Sequence, residues 1–144
     1  MSSERVNEMA RREWMDLGFY YDRDDSEKVW RILGTKVGLL KFCNLISTYA
    51  ANSENDVISH HENFGPYSYL EIGTWNVPEI TEHWIAGPLK QLMALASDIG
   101  VLVPNSVVGQ KLLFRHKFSP QSSYELLLEI KDDDFSPITE DPTL

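Results

Sequence analysis

Residues 65–100 read GPYSYLEIGTWNVPEITEHWIAGPLKQLMALASDIG and contain a complete strand–strand–helix unit. The unit begins with the turn Gly65-Pro66, after which apolar and polar side chains alternate as far as Trp75, as they do in a half-buried strand. A second extended segment follows at residues 79–86. A helix then begins at Gly87-Pro88, because proline is tolerated in a first helical turn, and ends at Gly100. We expect Leu70 and Ile72 to face the helices.

The N-terminal half of the chain follows the same plan. Residues 17–23 and 27–34 alternate and predict a β-hairpin, and Thr35 can cap the helix that follows. A shift of 53 residues places these apolar positions on those of the later unit: Leu17 on Leu70, Phe19 on Ile72, Ile32 on Ile85, Leu39 on Leu92, Phe42 on Leu95 and Ile46 on Ile99. An internal duplication and two independently similar units both explain this pattern, and both predict the same shape.

The remaining segments complete the predicted architecture. Residues 1–16 predict a short helix or arm, and residues 109–118 and 123–131 predict a further β-hairpin. The fold class is therefore α+β, with an antiparallel sheet built from two strand–strand–helix units plus a C-terminal β-hairpin, and with the two main helices on one face. Residues 1–131 form a single domain in this interpretation, and residues 132–144 form an acidic flexible tail.

Composition and charge limit the classes of function. The 144 residues are 42% hydrophobic and 11% aromatic, which is typical of a packed globular domain. The net charge of −9 argues against direct binding to nucleic acid or to an anionic membrane, since both require clustered Lys and Arg. No apolar run approaches the length of a bilayer span, so we expect a cytoplasmic protein. The single cysteine, Cys43, excludes an internal disulfide and is expected to be a small buried residue.

Aromatic and acidic side chains are expected together on the face of the sheet that points away from the helices. Strand alternation places them opposite Leu70 and Ile72, and large amphipathic rings often supply most of the affinity of a binding surface. The predicted binding residues are Tyr67, Tyr69, Glu71, Trp75, Trp84, Asp22 and Glu82. Two alternatives leave this face covered, either by the C-terminal hairpin or by a second copy of the chain in a homodimer.

No motif with specific chemistry is present in the sequence. Nucleotide-binding glycine loops and a Gly-x-Ser-x-Gly nucleophile are absent, and His60-His61-Glu62 lacks the spacing of a zinc site. We therefore predict no catalytic residue, no metal ligand and no cofactor. The first hypothesis is a non-catalytic acidic binding protein that meets a protein partner at this aromatic and acidic face. The alternative hypothesis is a small-molecule-binding protein or enzyme with a pocket at the sheet, in which His83 or Glu71 acts as an acid or base and His60 and His61 bind a metal.

Several aromatic and glycine positions carry a resemblance to a known class of proteins. They are Tyr20-Tyr21-Asp22, Trp30, the stretch Gly65-Pro-Tyr-Ser-Tyr-Leu-Glu-Ile-Gly-Thr-Trp75, and Ile85-Ala-Gly87. Over about residues 13–100 the chain resembles bacterial immunity proteins of polymorphic toxin and contact-dependent inhibition systems. The resemblance implies a protein that inhibits a toxin by binding it, the partner often being a basic nuclease domain. It implies no individual inhibitory residue.

Overall fold

The computed structural model describes residues 2–144, which form an α+β fold. The α-helices are α1 (Ser2–Leu17), α2 (Lys36–Ala51), α3 (Leu89–Leu102) and α4 (Arg115–Phe118). The strands are β1 (Tyr20–Asp24), β2 (Val29–Gly34), β3 (His61–Phe64), β4 (Leu70–Thr74), β5 (Glu79–Ile80), β6 (Ile85–Gly87), β7 (Lys111–Leu113) and β8 (Glu125–Ile130). Short 3-10 helices lie at Ser53–Asn55, Pro66–Ser68 and Pro137–Glu140. The predicted α+β class is confirmed.

The strands form two four-stranded sheets with the same internal pattern. Sheet 1 has the order β1-β2-β8-β7, and sheet 2 has the order β3-β4-β6-β5. In each sheet the two central strands run parallel, and each outer strand runs antiparallel to its neighbour. The structure therefore has two mixed sheets where the sequence predicts one antiparallel sheet.

Strand direction accounts for this difference. Alternation identifies a strand but does not say which way it runs beside its neighbour. The segment after β4 turns back as the two-residue strand β5, which pairs with β6, so that β6 runs parallel to β4. The C-terminal hairpin is present as β7 and β8, and β8 lies inside sheet 1 against β2. Residues 115–118, expected to be extended, form the short helix α4.

The predicted repetition holds for the strand-to-helix part of each unit. Strands β2 and β6 both end in glycine, at Gly34 and Gly87, and each leads almost directly into a helix. The matched helix positions Leu39 and Leu92, Phe42 and Leu95, and Ile46 and Ile99 are all buried. The first strands do not correspond, since Leu17 ends α1 whereas its counterpart Leu70 begins β4.

Helices α2 and α3 pack against each other in opposite directions. The Lys36 ammonium at the start of α2 donates to the Pro104 carbonyl beyond the end of α3, over 3.2 Å. In the middle of the pair, the partly buried Cys43 thiol donates to the Ala96 carbonyl over 3.0 Å. Helix α2 contacts β2 and β8 of sheet 1, and α3 contacts β6 of sheet 2. Leu70 and Ile72 are fully buried in the common core, as predicted.

The start of α2 is fixed by a cap and by close backbone packing. The Thr35 side chain accepts a hydrogen bond from the Gly38 amide over 3.1 Å, which confirms the predicted N-cap. A Cβ atom at Gly38 would overlap the Gly18 carbonyl oxygen, so only glycine allows this turn to approach the loop before β1 so closely. This contact fixes the position of α2 relative to β1.

The acidic segment 132–144, expected to be a flexible tail, lies against the body of the protein. Phe135, Ile138 and Leu144 are partly buried against the core, and Asp141 is only 5% exposed. The 3-10 helix at Pro137–Glu140 contacts α1 and β1. A few apolar side chains and one buried carboxylate therefore hold this segment in a defined position.

Among the described residues, no helix is long and apolar enough to cross a membrane.

Candidate functional site

A groove of about 480 Å³ opens beside β1, an edge strand of sheet 1. We call it the aromatic groove. Its six aromatic side chains are Trp14, Tyr20, Tyr21, Trp30, Tyr67 and Tyr69. Its other residues are Asp22, Arg23, Asp141, Pro142 and Thr143. The groove therefore joins α1, the hairpin of β1 and β2, the turn before β4 and the end of the chain.

The floor of the groove is a cluster of buried rings. The Trp14 ring lies 4.9 Å from that of Tyr20 and 5.3 Å from that of Tyr21, between ring centroids. The Tyr21 hydroxyl donates to the Pro66 carbonyl and accepts from the Tyr69 amide over 3.2 Å. Burial raises the pKa of both Tyr20 and Tyr21 to about 12, and the charge of Asp22 adds to the effect at Tyr20. Both hydroxyls therefore stay protonated at neutral pH.

The wall of the groove is formed by two exposed rings. Tyr67 is 42% exposed and Tyr69 is 68% exposed, and their centroids lie 6.1 Å apart. They lie in a turn in which Gly65, Tyr67 and Ser68 all have positive φ angles, which side chains other than glycine seldom adopt. The backbone cost of such residues is recovered through surrounding contacts, and such residues concentrate at functional sites.

Asp141 holds the wall to the floor. Its Oδ2 atom accepts from Trp14 Nε1 over 2.8 Å and from the Tyr67 hydroxyl over 2.6 Å. Its Oδ1 atom accepts from the Thr143 amide over 2.9 Å and from the Thr143 hydroxyl over 2.8 Å. Burial by itself raises the pKa of Asp141, but the hydrogen bonds from Tyr67, Trp14 and Thr143 outweigh it and hold the pKa below its ordinary value. The carboxylate is therefore ionised at neutral pH.

Two ion pairs neutralise charges at the mouth of the groove. The Arg23 guanidinium lies 5.8 Å from the centroid of the Trp30 ring, and its Nε atom is 2.7 Å from Oδ1 of Asp25. Asp22 makes a two-point contact with Arg31, in which Nε lies 2.7 Å from Oδ1. The two charged β1 residues that line the groove, Asp22 and Arg23, are therefore both already in ion pairs.

The structure divides six of the seven predicted binding residues between two surfaces. Tyr67, Tyr69 and Asp22 line the aromatic groove. Glu71, Trp75 and Trp84 lie on the opposite face of sheet 2 from the core, because Leu70, Ile72 and Thr74 point inward. Glu82 lies in the turn between β5 and β6, where its carbonyl accepts a hydrogen bond from Arg23. The prediction of one continuous aromatic face assumed that Tyr67 and Tyr69 belong to β4, whereas they lie in the turn before it.

The second surface is centred on two tryptophans, and we call it the Trp75–Trp84 patch. Their ring centroids lie 5.8 Å apart, and the Trp84 indole donates to Oε2 of Glu79 over 3.2 Å. Trp84 lies directly over Gly73, where a Cβ atom would overlap its ring. The two rings are half-buried against sheet 2, so this patch offers less free aromatic surface than the wall of the groove.

The histidines have structural surroundings. His60 Nδ1 lies 3.1 Å from the Tyr49 hydroxyl, and His61 Nδ1 lies 3.0 Å from the Ser59 carbonyl oxygen. His83 is exposed beside Glu82. Across residues 2–144, no group of three or more His, Cys, Asp or Glu side chains is arranged to hold a metal ion.

Sequence reasoning predicted three of the eleven groove residues as binding residues and missed the others, among them Trp14, Tyr21, Trp30 and Asp141. Periodicity identified Tyr21 and Trp30 as strand residues but not as neighbours of Tyr67 and Tyr69. The one local signal was Asp141-Pro142-Thr143, a sequence typical of a turn, inside a segment that composition alone predicts to be mobile.

Comparisons of the chain with protein-family models, with curated proteins and with solved structures found no match.

Proposed function

We propose that this chain is a non-catalytic binding protein that holds a protein partner at the aromatic groove. The observation that carries the proposal is the pair of exposed rings Tyr67 and Tyr69, which stand over a floor of buried rings. Hydrogen bonds from Tyr67 to Asp141 and from Tyr69 to Tyr21 fix this wall before any partner arrives. Rigid aromatic anchors that are already ordered lose little conformational entropy on binding, and such anchors dominate many protein interfaces.

The charge of the chain favours a basic partner. The net charge is −9, and five of the acidic residues lie in the segment 132–144: Asp132, Asp133, Asp134, Glu140 and Asp141. Of these, Asp141 lines the groove. A negative surface of this kind speeds the encounter with a basic protein and repels nucleic acid.

Within this proposal, the partner is a basic toxin domain, and the chain acts as a bacterial immunity protein in the cytoplasm. Support comes from the resemblance of residues 13–100 to immunity proteins and from the acidic charge. Inhibition then arises because the bound protein covers the toxin's active site. None of the chain's own residues takes part in a reaction.

Titration calorimetry with the product of the adjacent upstream gene tests this proposal, since an immunity gene lies directly downstream of its toxin gene. We expect a one-to-one complex that Tyr69→Ala weakens by at least about 2 kcal/mol, as hot-spot residues do. Trp75→Ala is the matched variant for the Trp75–Trp84 patch. If only Trp75→Ala weakens the complex, the groove is not the binding surface. If purified upstream product and this chain release no heat and do not coelute, the proposal fails.

A small-molecule ligand is the second candidate, because a volume of 480 Å³ lies within the range of roughly 300–1,000 Å³ that is typical of ligand pockets. Mass spectrometry of the untagged protein under native conditions tests it. A ligand or metal present in stoichiometric amount would favour this candidate.

A homodimer that covers the groove is a third arrangement, and light scattering of wild type and Tyr69→Ala distinguishes it.

A further inference from the structure

Ligand recognition in the aromatic groove depends on ring faces, because the polar atoms of most of the rings are already used within the protein. The indole N–H groups of Trp14 and Trp30 donate to Asp141 and to the Thr81 carbonyl. The hydroxyls of Tyr21 and Tyr67 donate to the Pro66 carbonyl and to Asp141. A ligand therefore meets mainly ring faces, whose quadrupole is negative above the ring.

The charge around these rings is also negative. Carboxylates of Asp22, Asp141 and Glu140 act on the Tyr20 hydroxyl, and Glu13 acts on both Tyr21 and Tyr67. Asp22 is neutralised by Arg31. Glu13, Glu140 and Asp141 take part in no ion pair within the described part of the chain. The groove therefore combines aromatic faces with uncompensated negative charge, the combination that attracts an organic cation.

The protein itself shows which cation fits the groove. Arg23 lies over Trp30, with its guanidinium carbon 5.8 Å from the ring centroid, and both residues line the groove. A guanidinium is planar and more weakly hydrated than an ammonium, so it stacks on aromatic faces at a lower desolvation cost. The wall formed by Tyr67 and Tyr69 offers further ring faces, and no Lys or Arg among the described residues makes a cation–π contact with them.

We propose that the aromatic groove receives an arginine side chain of a partner protein, stacked against Tyr67 and Tyr69 and attracted by Glu13, Glu140 and Asp141. This inference rests on the proposed function, because it names the part of the basic partner that the groove recognises. The arginine would lie between the exposed wall and the buried floor of Trp14 and Tyr20. It would replace the hydration of the tyrosine faces by a cation–π contact at each ring.

The test uses N-acetyl-arginine methylamide as the probe, titrated into ¹⁵N-labelled protein at low salt. We expect saturable shifts of the Trp14 indole and Tyr69 amide signals. The citrulline derivative, which has nearly the same shape but no charge, should bind at least about tenfold more weakly, and the lysine derivative should fall between them. Equal affinities for the arginine and citrulline derivatives, or shifts confined to Trp75 and Trp84, would overturn the inference.

Variants separate the stacking contribution from the charge contribution. Tyr69→Ala should weaken binding of the arginine derivative about tenfold, and Glu140→Gln should weaken it about twofold to threefold, with the second effect disappearing as salt is added. Glu54→Gln, which removes another exposed carboxylate in the 3-10 helix Ser53–Asn55, is the matched control and should change nothing. An equal effect of Glu54→Gln and Glu140→Gln would show that only net charge matters and would contradict a specific site.

The two proposals fail in different ways. If the upstream gene product binds in a manner that depends on Tyr69 but the arginine derivative gives no saturable shift, the protein-binding function stands and the arginine inference is lost. If the arginine derivative binds as expected but no complex with the upstream product forms, the groove recognises a guanidinium and the assigned partner class is wrong.

Discussion

The Trp14 indole donates a hydrogen bond to Oδ2 of Asp141 over 2.8 Å, between residues that are 127 positions apart in the sequence. The same oxygen accepts from the Tyr67 hydroxyl. One carboxylate thus connects helix α1, the turn before β4 and the end of the chain. Through these two hydrogen bonds, Asp141 joins the floor of the aromatic groove to its wall.

Removing the charge of Asp141 should loosen the C-terminal segment. Asp141→Asn retains the size of the side chain but leaves an amide N–H₂ facing other donors, so one pair of hydrogen bonds is lost. We expect a loss of about 1–3 kcal/mol in the free energy of unfolding, measured by urea denaturation. Glu140→Gln removes the same charge from an exposed neighbour and should change stability little. Equal losses in the two variants would indicate a general charge effect instead.

Acid should release the same segment in the wild-type protein. The folded-state pKa of Asp141 is lower than its value in the unfolded chain, about 3.9. The unfolded state therefore binds the proton first, and the stabilisation is fully present above about pH 4 and lost as the pH falls through the folded-state pKa. We expect the stability difference between wild type and Asp141→Asn to shrink across this range. A difference that stays constant down to the acid-unfolded state would contradict the assignment.

Alkaline titration should identify the buried tyrosines of the groove floor. The pKa values of Tyr20 and Tyr21 are raised to about 12, so these two hydroxyls ionise late in the absorbance titration of the six tyrosines. Because the folded state holds these protons more tightly, their contribution to stability is complete below about pH 10 and is lost as the pH approaches 12. Tyr20→Phe should remove part of the late phase and leave the earlier phases unchanged.

Gly73→Ala should displace Trp84 from the Trp75–Trp84 patch, because the new methyl group would overlap the indole ring. We expect a loss of about 1–3 kcal/mol and a change in tryptophan fluorescence. Gly100→Ala is the control, since its methyl group would lie 3.5 Å from the Cys43 sulfur, in ordinary contact. That substitution should be neutral or should stabilise α3 by up to about 1 kcal/mol. Unchanged fluorescence in Gly73→Ala would mean that the ring does not lie over this strand in solution.

Local sequence patterns predicted the helices and the buried faces of this fold. The 3.6-residue spacing of Leu39, Phe42 and Ile46 in α2, and of Leu92, Leu95 and Ile99 in α3, reflects contacts made within one helix face, so it can be read from the sequence. Alternation likewise placed Leu70 and Ile72 in the core. Strand direction depends on distant pairings such as that of β2 with β8, which leave no trace in local alternation.

The aromatic groove was predictable only in part, for the same reason. Tyr67 and Tyr69 were predicted to be exposed aromatic residues, and both are exposed in the structure. Trp14 and Asp141 are in contact although they lie near opposite ends of the sequence. A pattern within a short stretch of sequence cannot show such a contact. The acidic composition of residues 132–144 is typical of disorder, yet the partly buried Phe135, Ile138 and Leu144 are enough to dock the segment.

The strand orders of the two sheets have a consequence for the order of events during synthesis. All four strands of sheet 2 come from the continuous segment 61–87, so its pairings close short loops. Sheet 1 joins β1 and β2 to β7 and β8, and its central pair closes a loop of most of the chain, which is entropically slower. We therefore expect sheet 2 to form during synthesis before sheet 1 is complete. At that stage β2, which contains Ile32, still lacks its partner strand β8. Until β8 emerges, the nascent chain exposes an unpaired apolar strand. Chaperones that bind exposed apolar segments would therefore act on the chain during this interval.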